Sequence, residues 1–263
     1  MGIIPGDMNP QVFTYDRTFE GFLTLFFDTF EKKTEPYRII SSHQIQQTIF
    51  TDVQEVITDD EKASRVWSAL QKKISKYGCN TLYYGLLSEI EDIEMLMFRY
   101  VKKVLSFKGN YEYNFSDPDV IEMEKIRKKV AREGQRMLMF VRFQKTSDGL
   151  FFCPIEPKYN VLPLVTKHFK ERYADQKWVI YDTTRKYGFY YDLEETKRVS
   201  FDESFVAKDT IWLPQQIIHD EERLFRSLWK EYFHTLAIKE RINPRLHMQH
   251  LPKRFWKYLP EKQ

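Results

Sequence analysis

Apolar residues at Phe19, Phe22, Leu23, Phe26, Phe27 and Phe30 recur at three- and four-residue spacing, which predicts an amphipathic helix. A short strand over Val12 to Tyr15 precedes it, with Asp16 or Thr18 as its cap. Two more helices follow, over Asp59 to Ile74 and Asn80 to Phe107, the second with Leu82, Leu86, Ile90, Ile93, Met97, Val101 and Val104 along one side. Asp117-Pro118 opens another, because proline at an early helical position loses no hydrogen bond. The period then changes to two over Met137 to Gln144, predicting a strand that Thr146 to Gly149 turns into a second, Leu150 to Ile155. A helix over Val161 to Tyr173 leads to a further hairpin, Trp178 to Asp182 with Phe189 to Asp192 around a turn at Thr183 to Gly188. Glu221 to Ile242 closes the regular structure as a long helix striped with Leu224, Phe225, Leu228, Trp229, Tyr232, Phe233 and Leu236.

This order predicts an α+β fold, an antiparallel sheet of two hairpins packed against several helices, followed by a long helix and an aromatic tail. A single domain over 12–263 accommodates it: a mainly helical part over 12–116, the sheet over 117–220, and the helix and tail over 221–263. With 42% apolar and 30% charged residues, and 21 Phe, 16 Tyr and 5 Trp, the 263-residue chain can bury a large core. Cys79 and Cys153 stand in apolar stretches with no metal-like spacing, which predicts buried free thiols in a reducing compartment. Residues 1–11 lack the pattern of a signal peptide, and no apolar run approaches the roughly 18 residues of a membrane span, so a cytoplasmic protein with no membrane partner is expected.

Charge changes this picture. From Arg223 to Gln263 there are ten Lys and Arg against three Glu, a net of +7, while the first 222 residues carry 31 basic and 35 acidic residues, a net of −4. A basic end on a mildly acidic body is suited to an anionic partner, although a solvated helix face would give the same count. Lys253, Arg254 and Lys257 interleave with Phe255, Trp256 and Tyr258, so cations that neutralise phosphate stand beside rings able to stack on bases. The alternative is that the aromatics lock the tail onto the core and the cationic heads point to water. Arg241, Asn243 and Arg245 cluster where the last helix breaks, and His250 lies between them and the tail. On the helix after Pro118, Arg127, Lys128 and Arg132 form a second basic element.

Catalytic signals are fewer. No Gly-rich phosphate loop, nucleophile elbow or zinc-spaced cysteine pair is present, and His247 with His250 lacks a third ligand nearby, so neither a metal nor a cofactor is expected. Glu156 and Asp182 lie at predicted strand ends with His168 on the helix between them, the residue types an acid–base site requires. Pairing of those carboxylates with arginine inside the sheet explains the same residues and is the reading the sequence favours.

The stretches Tyr15-Asp16-Arg17-Thr18-Phe19-Glu20-Gly21-Phe22-Leu23, Pro154-Ile155-Glu156-Pro157 and Trp178-Val179-Ile180-Tyr181-Asp182 carry a resemblance, as do Leu228-Trp229-Lys230-Glu231-Tyr232-Phe233, Asn243-Pro244-Arg245-Leu246 and Leu251-Pro252-Lys253-Arg254-Phe255-Trp256. In them the chain resembles a bacterial family of DNA-metabolism proteins whose function is unknown. That family is similar to a domain fused to uracil-DNA glycosylases, and its free-standing members accompany a radical-SAM protein. The resemblance implies a role in DNA repair or modification beside such a partner enzyme; it supplies no catalytic residue. Three expectations result: a nucleic-acid-binding accessory module using Arg241, Asn243, Arg245, His250, Lys253, Arg254, Trp256 and Lys257, extended by Arg127, Lys128 and Arg132; a nucleic-acid-processing enzyme using Glu156, His168 and Asp182; and an adaptor that docks a partner protein through its aromatic helix and tail.

Overall fold

The computed structural model describes residues 11–41, 53–201, 213, 215–236, 238 and 243–262. It has two compact units, Met1–Ala131 and Arg132–Gln263.

In the first unit β1 (Val12–Tyr15) is central to a three-stranded parallel sheet, between β2 (Arg38–Ser41) and β3 (Val53–Glu55). All four residues of β1 are buried, so neither face has the alternation of a half-exposed strand. Helix α1 (Phe19–Glu31) begins where the sequence places it, with Thr18 Oγ1 accepting from Gly21 N at 2.9 Å. Asp16 joins the loops after β1 and β3. It accepts from Thr18 N at 2.9 Å and Thr18 Oγ1 at 2.7 Å, and its other oxygen accepts from Thr58 Oγ1 at 2.8 Å. Although partial burial opposes ionisation, those donors keep the Asp16 carboxyl below its usual range. The same carboxylate leaves no room for a side chain at position 21, since a Cβ on Gly21 would lie 2.3 Å from Asp16 Oδ1.

Helix α2 (Asp60–Gln71) is capped by Asp59, the residue at which the sequence predicts the helix to begin. The single helix expected over Asn80 to Phe107 is two, α3 (Lys76–Ser88) and α4 (Ile93–Ser106). Glu89 and Asp92 both have positive φ between them, at 50° and 57°. The apolar phase runs on across this break and no Gly or Pro marks it, which is why periodicity alone misses it.

The unit boundary falls inside α5 (Pro118–Phe140). Asp117 Oδ1 accepts from Asp119 N at 2.8 Å and starts the helix at the expected place. The strand expected over Met137 to Gln144 is instead the last turn of α5, and only Gln144–Lys145 is extended, as β4. Met137 continues the spacing of the buried face formed by Met123, Ile126 and Val130, which outweighs the short local alternation.

The second unit holds a five-stranded sheet in sequence order: β4, β5 (Phe151–Ile155), β6 (Trp178–Asp182), β7 (Tyr187–Tyr191) and β8 (Thr196–Val199). The expected hairpins β4–β5 and β6–β7 are antiparallel, but β5 and β6 pair in parallel, so the sheet is mixed rather than antiparallel throughout. Helix α6 (Leu162–Arg172) explains the direction. Eleven helical residues rise about 16 Å, close to the ~17 Å length of a five-residue strand, so the helix returns the chain to the start of its neighbour. Phe169, Trp178 and Tyr191 are buried on one side of the sheet, with Phe143 packed against the first two and Tyr173 against Phe143 and Phe169. Phe152, Val179 and Tyr181 form the core of the other side. The chain is thus a mixture of helix and strand, as the α+β expectation has it, but the expected single antiparallel sheet is not found among the described residues: the first unit's sheet is wholly parallel and the second unit's is mixed.

Helix α7 (Asp220–Leu236) ends the long apolar stripe within the described residues, and 239–242 lie outside them. Asn243 caps α8 (Pro244–His250), Oδ1 accepting from Leu246 N at 3.0 Å. A short 3-10 segment, Lys253–Tyr258, buries Phe255 and Tyr258, and Leu259 is buried after it. The tail is therefore packed through its aromatics. Cys79 and Cys153 are both free and buried. No helix among the described residues is long and apolar enough to cross a membrane.

Candidate functional site

Parallel pairing of β5 with β6 puts Ile155 opposite Asp182, so the loops that follow both strands leave the sheet at the same end. In open sheets the carboxyl ends of parallel strands are where ligand crevices form, because the helices and loops diverge there. Glu156 and Asp182 are brought to this end together.

Asp182 is fully buried at 0% exposure. Its Oδ1 accepts from Thr184 N and Arg185 N, each at 3.0 Å, and Oδ2 pairs with Arg185 Nη1 at 2.8 Å. Burial raises its pKa against those contacts. The same guanidinium donates to Pro157 O at 3.1 Å and Lys158 O at 3.3 Å, tying the turn after β6 to the loop after β5. Tyr187 Oη reaches Asn160 from the neighbouring strand. Gly188 is needed beside them, since a Cβ there would lie 2.4 Å from Ile180 O, a backbone atom that cannot swing away.

The tail closes this end of the sheet. Lys257 pairs with Glu156, and Arg254 forms a two-pronged pair with Glu133, its Nη1 2.8 Å from Oε1. Glu133 is 2% exposed and also accepts from Lys158 N at 2.8 Å. The Arg254 guanidinium lies 4.2 Å from the centre of the Phe255 ring. Tyr258 is 6% exposed, its hydroxyl buried beside Glu156. Burial, and then the charge of Glu156, push that hydroxyl's pKa up. In the same unit, burial drives the Cys153 thiol up to about 12, so it is a protonated core residue rather than a nucleophile.

The other expected residues are dispersed. His168 lies exposed on α6, its ring edge on the adjacent Phe169 at 5.6 Å, and among the described residues it bonds to neither carboxylate. Asn243 uses its oxygen as the cap of α8. Arg245, His250 and Lys253 are exposed, and no carboxylate among the described residues pairs with Arg245 or Lys253. Trp256 is half-buried with Nε1 donating to Leu251 O at 3.0 Å, and the ammonium groups of Lys253 and Lys262 lie 6.0 and 5.4 Å from its ring centre. Arg241 lies outside the described residues. In the N-terminal unit, Arg127 and Lys128 both pair with Glu124, and Arg127 also stacks over Tyr77 at 4.3 Å. Arg132 is exposed at the start of the second unit.

Glu133 and Tyr258 were not among the expected functional residues. Glu133 had a readable signal: an acidic residue at the helical spacing of Ile126, Val130 and Met137, on a face otherwise apolar. No cluster of His, Cys, Asp and Glu able to hold a metal occurs among the described residues. As arranged, each carboxylate at this end of the sheet is matched to a cation, and the arrangement locks the tail, two loops and a turn together.

No curated protein and no solved structure matches the chain. A family match covers residues 91–261, about two thirds of the chain, from the start of α4 to the end of the tail. On that match the chain belongs to the DUF4130 family, a domain of unknown function.

Proposed function

We propose that this protein binds nucleic acid, with DNA the substrate class implied by the sequence resemblance, and that the contact lies between Asn243 and Lys253. The observation that carries this reading is how the C-terminal cations are used. Arg254 and Lys257 neutralise Glu133 and Glu156, whereas Arg245 and Lys253 are exposed without a carboxylate partner among the described residues, with His250 exposed between them. Cations paired internally would have to give up a carboxylate to meet a phosphate; those without a carboxylate would not. In this reading the protein is an accessory module of DNA repair or modification, and the chemistry resides in a partner enzyme of the radical-SAM or uracil-DNA-glycosylase kind.

The test is fluorescence anisotropy of labelled single- and double-stranded oligonucleotides across a salt series, with wild type and an Arg245→Glu/Lys253→Glu variant. Phosphate contacts give an affinity that falls with log salt at about −0.7 to −0.9 per phosphate neutralised, and the variant should show a slope shallower by one to two such contacts. A folded variant with unchanged affinity and slope removes this surface from the reading.

The adaptor reading has its own support in α7. Leu224, Phe225, Leu228, Tyr232 and Leu236 are 49–59% exposed along one stripe, more apolar surface than solvent contact alone accounts for. It corresponds to a helix received in the apolar groove of a partner enzyme. Association that survives nuclease and high salt but is lost in Phe225→Ser/Tyr232→Ser favours this reading over nucleic-acid contact.

A further inference from the structure

Phe19, Trp67 and Tyr83 come one each from α1, α2 and α3 and meet edge to face. Phe19 and Trp67 have ring centres 5.2 Å apart at 86°, and Phe19 and Tyr83 5.8 Å apart at 89°. All three rings are only half-buried and line a cleft of about 480 Å³ in the N-terminal unit. Glu20 and Asp60 line it too, both exposed, and no Lys or Arg among the described residues does. Among the described residues neither carboxylate has a cationic partner. The nearby cations of α2 are engaged elsewhere: Lys62 pairs with Asp28 at 2.7 Å, and it and Arg65 lie over Phe27. An acidic residue in the first turn of a helix is explained by the helix dipole alone. Three ring surfaces left partly open beside two such carboxylates are not.

We propose that this cleft is a binding site for an alkylammonium group. A cation over an aromatic face is attracted by the negative centre of the ring, most strongly with tryptophan, and the attraction grows as the site excludes water. Rings set near right angles offer such a group faces in more than one direction, and the two carboxylates set the sign of the charge accepted. Anionic nucleic acid is disfavoured here for the same reason. The group arrives either on a free amine or on a methylated lysine side chain of a partner, and both present the same head.

The experiment titrates the whole protein, by calorimetry and tryptophan fluorescence, with choline, with its neutral isostere 3,3-dimethylbutan-1-ol, and with Nα-acetyl-Nε-trimethyl-lysine amide. Charge recognition makes each cation bind at least about tenfold more tightly than the neutral isostere. A tighter lysine derivative assigns the site to a peptide side chain, and equal affinity assigns it to a free amine. Glu20→Gln, at an exposed position, should weaken both cations about two- to fivefold, and Trp67→Phe should weaken them while keeping an apolar wall. Equal binding of the neutral compound makes the cleft merely apolar and overturns the proposal. So does the absence of saturable binding of either cation up to about 100 mM.

Discussion

Removing the Arg254 guanidinium tests directly whether the basic tail is a clamp or a free contact surface. Arg254→Met keeps the apolar stem but leaves Glu133, 2% exposed, with Lys158 N as the remaining donor identified for it. Breaking one side of a buried ion pair costs about 3–5 kcal/mol, because the abandoned charge stays out of water. The Arg254 side chain is 39% exposed, so the lower end applies. Loss of the cation over Phe255 adds about 0.5–1 kcal/mol. The sum is about 3–4 kcal/mol, which at an m-value of about 2 kcal/mol per molar lowers the urea midpoint of the C-terminal unit by roughly 1.5–2 M. Trp178 and Trp256 report on that unit by fluorescence. Glu133→Met/Arg254→Met should cost less than Arg254→Met alone, since the stranded charge is gone, and the cycle should give a coupling of at least about 2 kcal/mol. A single substitution costing under about 1 kcal/mol, or two that simply add, would refute the reasoning and return Arg254 to the exposed cations.

Gly188→Ala places a methyl group against Ile180 O and should cost about 1–3 kcal/mol by strain across β6 and β7, measured as a shift in the same urea midpoint. Asp16→Ala removes the link between the loops after β1 and β3 together with a charged hydrogen-bond acceptor, and should lower the stability of the N-terminal unit by about 1–2 kcal/mol. Glu124 is held at about 2 by Arg127, with Tyr77 and Lys128 assisting against partial burial. A carboxyl depressed in the folded state stabilises above its unfolded value near 4.5 and loses that contribution as pH falls toward 2. The effect is on the order of 2 kcal/mol at most, and Glu124→Gln should flatten the stability profile between those limits, read by denaturation at stepped pH. Thiol reagents at neutral pH should leave Cys153 unlabelled in the native protein and label it in urea, because burial and a thiol pKa pushed up to about 12 both suppress the thiolate.

The sequence by itself determined those elements whose signal is local. Helix α1 with its Thr18 cap, α2 with Asp59, the Asp117-Pro118 start of α5, α6, the β6–β7 hairpin and the buried thiols were all legible, because capping, apolar period and turn chemistry act over a few residues. Only the tertiary structure decided strand direction, the end of α5 and the use of the charges. Parallel pairing of β5 with β6 depends on the rise of α6 matching a strand length, a comparison between elements that no window along the chain contains. Beyond Met137 the local alternation and the helical spacing disagree, and the longer buried face of α5 prevails. The same holds for the candidate site. Ten cations over the last 41 residues look equivalent in a sequence, but Arg254 and Lys257 meet Glu133 and Glu156 from 121 and 101 residues away, while Arg245 and Lys253 meet no described carboxylate. Whether a charge holds the fold together or faces outward is set by the partner that folding brings to it, and that partner lies far along the chain.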